Sequence, residues 1–250
     1  TDSGYPRIVK LWTRGTPLAN AEQIFAGKTS DVEVDSFSYK SDNGTVLVIL
    51  AGTSFFTNDI YLVDPTTHAI TKAALPNDIS LVGVFQNQLL LEPRTDWNLN
   101  GKIIPAGALV SLPVDAILNP VPQVIYLPTD RSAVEETSVT KDAVFVSVLD
   151  NVKSKLIKFT LNAGKWSQSQ VAIPDGGSIS LLPSDPSGNM LLVQYESFLI
   201  PPTVLSVPSS ADPTAAAPTA LRKIPDRFDS SNLIAEQFES TSKDGTKIPY

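Results

Sequence analysis

The chain contains no cysteine, one histidine (His68) and one methionine among its 250 residues. Absence of cysteine removes disulfides, thiolate catalysis and Cys-based zinc sites together, and fits either redox compartment. With a single histidine, a Ser–His–acid triad within these residues would have to be built around His68. A His-rich metal site cannot be built, and no residue set calls for a cofactor. Positive charge is also scarce: Lys plus Arg total 19 against 26 for Asp plus Glu, a formal net charge of −7. The basic face expected of a nucleic-acid binder is missing. Long apolar runs are absent too. Val46–Ala51 is of strand length, against the roughly 20 residues of a membrane helix. The amino terminus, Thr1-Asp2-Ser3-Gly4-Tyr5-Pro6, shows neither an initiator Met nor an apolar leader core, and is expected to be the interior of a longer chain.

What is present is a globular composition, 42% hydrophobic and 18% charged, with length for one large domain or two small ones. Helical periodicity is nearly absent. Short β-rich runs alternate with Pro, Gly, Asn and Asp, and proline, at 20 of 250 residues, exceeds a background of about 5%. A unit of four strands recurs. Its third strand starts at Ile60, Ala108, Leu156 and Thr203, in steps of 48, 48 and 47 residues.

The first unit is expected as Ser36–Lys40, a hairpin turn at Ser41-Asp42-Asn43-Gly44, Val46–Leu50, Ile60–Val63 and Ile70–Leu75. Asn-Gly is a strong hairpin signal because both turn positions accept positive φ. The second unit is Leu81–Phe85, Gln88–Leu91, Ala108–Leu112 and Val121–Leu127. The third is Val134–Thr140, Ala143–Leu149, Lys155–Leu161 and Trp166–Ile173. The fourth is Ser178–Leu182, Met190–Tyr195, Thr203–Val207 and Leu221–Ile224. A half unit, Arg7–Trp12 with Glu22–Phe25, precedes them and reads as a third and fourth strand alone. Four antiparallel strands repeating every 40–50 residues mark a β-propeller blade. A β-sandwich also recurs in short strands, but need not repeat its loops at this period. The expectation is therefore all-β: a β-propeller of four-stranded antiparallel blades, about four and a half present. Blades completing the ring would lie before Thr1.

The carboxyl-terminal segment adds a resemblance. Asp229-Ser230-Ser231-Asn232, followed by Gln237-Phe238-Glu239-Ser240-Thr241-Ser242-Lys243-Asp244-Gly245-Thr246-Lys247-Ile248-Pro249, resembles the junction of the prolyl oligopeptidase family of serine peptidases. There the chain leaves the propeller and begins an α/β-hydrolase catalytic domain. Ser197-Phe198-Leu199-Ile200-Pro201 is similar to the family's last-blade hairpin. Leu11-Trp12, Arg14-Gly15-Thr16-Pro17, Asp59-Ile60-Tyr61-Leu62 and Asp96-Trp97 with Pro105-Ala106-Gly107 are similar to bacterial members. The resemblance implies a seven-bladed propeller over 1–227, truncated at its start. Residues 228–250 would be a linker and the first strand of the hydrolase domain. It implies a parent enzyme that hydrolyses short peptides after proline. The family's nucleophile, acid and histidine lie beyond the junction, so no catalytic residue is assigned here. Gly52 and Phe55 depart from the pattern, standing where some members carry an arginine and a cysteine near the substrate.

Other motifs weigh less. Gly176-Gly177-Ser178-Ile179-Ser180 lacks the last glycine of a nucleophile elbow and falls at a strand start. Asn43-Gly44-Thr45 matches a glycosylation sequon, yet the hairpin turn accounts for it. His68 closes a polar turn, Asp64–His68, and is expected at the surface. Glu135-Glu136 falls in a strand, where neighbouring side chains diverge, so it reads as surface or channel-lining charge. Asp175-Gly176-Gly177 and Asp185-Pro186-Ser187-Gly188 read as turns that fit a calcium loop poorly. Pro213–Pro218 reads as an exposed low-complexity loop.

The loops between second and third strands are the candidate functional surface: Gly52–Asp59, Arg94–Pro105, Asp150–Ser154 and Ser197–Pro202. Up-and-down connectivity places them on one face of the propeller, which by resemblance is the face toward the catalytic domain. Phe55, Phe56 and Trp97 stand out there as residues that would line the peptide cavity or bury against that domain, or fold back on their own blade. Trp166, opening a fourth strand, reads as packing. The expected role is gating and positioning for a peptidase whose partners are short peptides and its own C-terminal α/β-hydrolase domain. The alternatives are a sibling exopeptidase or acylaminoacyl peptidase, and a stand-alone propeller that binds without catalysis.

Overall fold

A computed structural model describes residues 1–41, 44–210 and 217–250. The chain divides into two compact units, Thr1–Leu127 and Pro128–Tyr250. In the first unit, β1 (Ile8–Leu11) and β2 (Glu22–Ala26) form a two-stranded sheet. β3 (Glu33–Ser41), β4 (Gly44–Gly52), β5 (Asn58–Val63) and β6 (Ile70–Lys72) follow as a four-stranded antiparallel meander. A second such sheet is made by β7 (Ile79–Phe85), β8 (Gln88–Pro93), β11 (Leu109–Pro113) and β12 (Gln123–Tyr126). Between its second and third strands, β9 (Trp97–Leu99) and β10 (Lys102–Ile104) form a separate hairpin.

In the second unit, β13 (Ser132–Val139), β14 (Val144–Asp150), β15 (Lys153–Asn162) and β16 (Lys165–Gln170) form one four-stranded sheet. β17 (Gly177–Leu181), β18 (Met190–Ser197), β19 (Thr203–Pro208) and β20 (Thr219–Lys223) form another. β21 (Glu239–Thr241) and β22 (Lys247–Pro249) close the chain as a short hairpin. All four expected units are therefore present as antiparallel sheets with strands in sequence order, and the half unit as a two-stranded sheet. The Asp42-Asn43 part of the first hairpin turn, the sequon asparagine and residues 213–216 of the low-complexity loop lie outside the described residues.

Side-chain alternation explains how the first unit layers. In β4, Val46 and Val48 point to one face and Ile49 and Ala51 to the other, as a period of two requires. The Val46/Val48 face joins Ile60 in packing against Ile79, Leu89, Leu91, Val110 and Leu112 of the next sheet. The Ile49/Ala51 face, with Val34 and Val63, packs against Val9, Ile24 and Phe25 of β1 and β2. A strand buried on both faces reads as a continuous apolar run, which is why Val46–Ala51 has no polar break. In the second unit, Phe145 and Leu156 of one sheet, with Val171 just past its last strand, meet Ile179, Leu191, Val193, Tyr195 and Val207 of the other. Side chains of this class each stabilise by about 1.5–3 kcal/mol when fully buried.

Turn chemistry fixes several registers. The β9–β10 hairpin turns on Asn100 and Gly101 at φ 53 and 83, and Gly101 N–H donates to the Asn98 side chain at 3.1 Å. This is the Asn-Gly type I′ signal. The segment read as a plain loop over Arg94–Pro105 thus contains a hairpin. In β13 the ladder slips between Val134 and Glu136, leaving Glu135 as the extra residue of a bulge. Simple alternation therefore does not govern the two glutamates, yet their carboxylates still diverge. Glu135 accepts from Ser154 Oγ at 3.2 Å, and Glu136 accepts the Leu181 N–H at 2.5 Å. Trp166 is half-buried in β16 opposite Leu161.

Candidate functional site

The β4–β5 loop is tied down by its own hydroxyls. Thr53 N–H and Ser54 N–H both donate to the Thr57 carbonyl, at 2.9 and 3.3 Å. The side chains of Thr53 and Ser54 bond Thr57 Oγ1 at 2.8 and 2.6 Å, and Phe56 N–H donates to Ser54 Oγ at 3.1 Å. Hydroxyl-to-backbone bonds of this kind stand in for a ladder in tight loops. The two phenyl rings on this loop face solvent: Phe55 is 80% and Phe56 69% exposed.

The neighbouring sheet meets this loop. The Arg94 guanidinium carbon lies 5.9 Å from the Phe56 ring centroid, within cation–π range. Arg94 also donates from Nε to Ser80 Oγ at 3.2 Å and from its backbone N–H to the Asp78 carbonyl at 3.1 Å. Asn58 N–H donates to the Asn77 carbonyl at 2.6 Å, stitching the two sheets at the same end. Glu92, half-buried two residues before Arg94, has its carboxyl pushed up by burial, which the nearby Arg94 charge partly offsets.

Trp97 is placed differently. It opens β9 and is only 5% exposed, packed into the first unit's core with Ile104, Leu89 and Leu91. The structure thus brings Phe55 and Phe56 together on the surface and turns Trp97 inward, where it anchors the inserted hairpin. Trp97 thus takes the arrangement in which it folds back on its own blade, while Phe55 and Phe56 stay exposed.

Within the second unit the corresponding loops carry features that sequence reasoning passed over. Phe198 is 87% exposed. Beside it, Ser197 Oγ accepts from the N–H groups of Leu199 and Ile200 at 3.3 and 3.0 Å. The β14–β15 turn places Asn151 and Val152 at φ 52 and 61, a left-handed conformation costly for a β-branched residue. The Asn151 Oδ1 atom is buried without a hydrogen-bond partner. Its backbone carbonyl accepts from Gln237 Nε2 at 3.0 Å, and Arg131 pairs with Glu239 at 2.5 Å. These contacts hold the carboxyl-terminal segment beside a cavity of about 370 Å³ lined by Val152, Lys153, Asp175, Phe198 and Tyr250. The signal for Phe198 was a phenylalanine following serine in a loop of the right class.

The remaining motifs sit as follows. His68 is partly exposed at φ 58, its N–H on the Asp64 carbonyl and its Nδ1 3.9 Å from Glu22. Gly177 opens β17, and a Cβ there would meet the Glu196 carbonyl at 2.3 Å and the Tyr195 ring at 2.5 Å. Asp185 accepts the N–H groups of a tight turn closing at Gly188.

Comparison with known proteins sets this geometry in a family. Residues 1–214 match the prolyl oligopeptidase N-terminal beta-propeller domain. The chain belongs to that family. Among curated relatives, an uncharacterized peptidase of Sinorhizobium fredii is 31% identical over 260 residues, covering all of this chain and 35% of its own length. An uncharacterized peptidase of Rickettsia prowazekii is 29% identical with the same coverage of 100% and 35%. The propeller chain therefore spans about a third of the length of these relatives. Of solved structures, a post-proline cleaving enzyme from Rickettsia typhi is similar at 28% identity and a TM-score of 0.84, over 100% of this chain and 37% of that one. Oligopeptidase B from Trypanosoma brucei shares the propeller fold at 15% identity and a TM-score of 0.71, over 99% of this chain and 35% of that one.

Proposed function

We propose that this chain is the access-controlling propeller of a serine peptidase that hydrolyses short peptides after proline. Residues 1–227 would form propeller, and residues 228–250 would lead into an α/β-hydrolase domain that carries the nucleophile. Acyl transfer would take place there, with an oxyanion hole, and no residue of this chain would take part in bond breaking. The propeller would admit unstructured peptides and exclude folded proteins. Phe55 and Phe56 would supply apolar wall on the domain-facing side.

The observation that carries this reading is the whole-chain likeness to the Rickettsia typhi post-proline cleaving enzyme, at 28% identity over 37% of that protein. Two adjacent, strongly exposed phenyl rings on the β4–β5 loop are consistent with it, as an apolar surface that the hydrolase domain or the peptide would cover. The test is made on the full-length protein. A fluorophosphonate that labels activated serines should attach beyond Tyr250, and a proline-containing octapeptide should be cut on the carboxyl side of proline. An unlabelled protein that leaves the peptide intact would overturn the reading in favour of a binding module.

A further inference from the structure

We propose that Arg94 is a specificity-determining residue that receives a carboxylate of the bound peptide, so that peptides ending in negative charge are preferred. The assignment rests on the peptidase reading above. Arg94 is exposed on the β8–β9 connection, its backbone N–H on the Asp78 carbonyl at 3.1 Å, and its side chain is held at two points: Nε donates to Ser80 Oγ at 3.2 Å, and the guanidinium carbon lies 5.9 Å from the Phe56 ring centroid. The terminal nitrogens make no hydrogen bond or ion pair among the described residues.

The acids around it are engaged elsewhere. Asp78 accepts from Thr95 Oγ1, and Asp96 accepts the Ala106 N–H at 3.0 Å. Glu92 feels the Arg94 charge, but no ion pair within 4.0 Å closes between them. The result is a planar fork, oriented in advance and lacking an internal anion, next to the exposed Phe55 and Phe56. Such a fork matches a carboxylate with two parallel hydrogen bonds. A polyanion is disfavoured, since a single guanidinium sits beside phenyl rings on a chain of net charge −7.

A peptide can offer that carboxylate from its terminus or from a side chain, and three substrates separate the sources. The full-length protein is given one proline-containing hexapeptide as the free acid, as the carboxamide, and as the carboxamide with glutamate at the last position. The expected result is that kcat/KM for the free acid exceeds that for the carboxamide by about tenfold, the scale of one charge-assisted contact. Recovery with the glutamate carboxamide would assign the site to any carboxylate, and no recovery would assign it to the terminus. In Arg94→Gln the acid-to-amide ratio should collapse to about one, with Arg94→Lys intermediate because it keeps charge without the fork. Cleavage of acid and amide at equal rates in the wild type, or an unchanged ratio in Arg94→Gln, would overturn the assignment and leave the peptidase reading standing. Failure to cleave any of the three peptides would overturn both.

Discussion

At the scale of single residues, two positions show how backbone geometry and packing divide the work. Gly177 has no room for a methyl group: the contacts a Cβ would make are with the Glu196 carbonyl at 2.3 Å and the Tyr195 ring at 2.5 Å. Neither can swing aside, because one is ladder backbone and the other a core side chain 1% exposed. Gly177→Ala should therefore destabilise the protein by about 1–3 kcal/mol, read as a lower urea midpoint at unchanged slope, and an unaltered midpoint would show that β17 can shift. Val152 is the opposite case. At φ 61 its branched side chain sits in the left-handed region, which costs an ordinary residue about 1–2 kcal/mol. Val152→Gly should raise Tm, with a gain of about 1 kcal/mol once the extra flexibility of the unfolded glycine is subtracted. A fall in Tm would mean that the half-exposed valine is held by packing stronger than its strain.

At the scale of elements, strand order was legible because each strand carries its own evidence. The unbroken apolar run Val46–Ala51 is of strand length and sits between turn residues, and the four-strand pattern recurs in steps of 48, 48 and 47 residues. Loops were less legible, since their structure depends on where hydroxyls and amides find partners. The Asn100-Gly101 hairpin was written in the sequence, but lay inside a segment whose length suggested a plain loop. Trp97 could not be placed by residue type, since an indole in a loop is equally at home in a wall or a core. Its inward turn follows from β9–β10 folding back over Leu89 and Leu91. Phe55 and Phe56 instead sit on a short loop held by hydroxyl bonds among Thr53, Ser54 and Thr57, and stay exposed. If Phe55 is peptide wall, burying it is worth about 1.5–3 kcal/mol. Phe55→Ala should then raise KM for a short proline peptide about tenfold or more, and an unchanged KM would remove the residue from the wall.

For the molecule as a whole, the question is what four four-stranded β-sheets would contribute to a reaction carried out in another domain, if the proposed access role is right. Each unit is rigid for a stated reason: sheets layered through apolar faces, with Leu89, Leu91, Val110 and Leu112 fully buried in one and Leu191 and Val193 in the other. Loops alone would make a leaky filter, whereas sheets packed at interior density deform little. A rigid wall around an active site selects by substrate size and flexibility rather than by sequence. The expected outcome is sharp. One proline-containing decapeptide should be cut by the full-length protein when free, and should survive when the same ten residues form an exposed loop of a folded host. The host loop must be shown accessible by its cleavage with an ungated protease, and mass spectrometry then reads both reactions. Cleavage of the host loop at a rate comparable to the free peptide would mean that the propeller does not restrict entry. Its exposed phenylalanines would then have to be explained by domain packing alone.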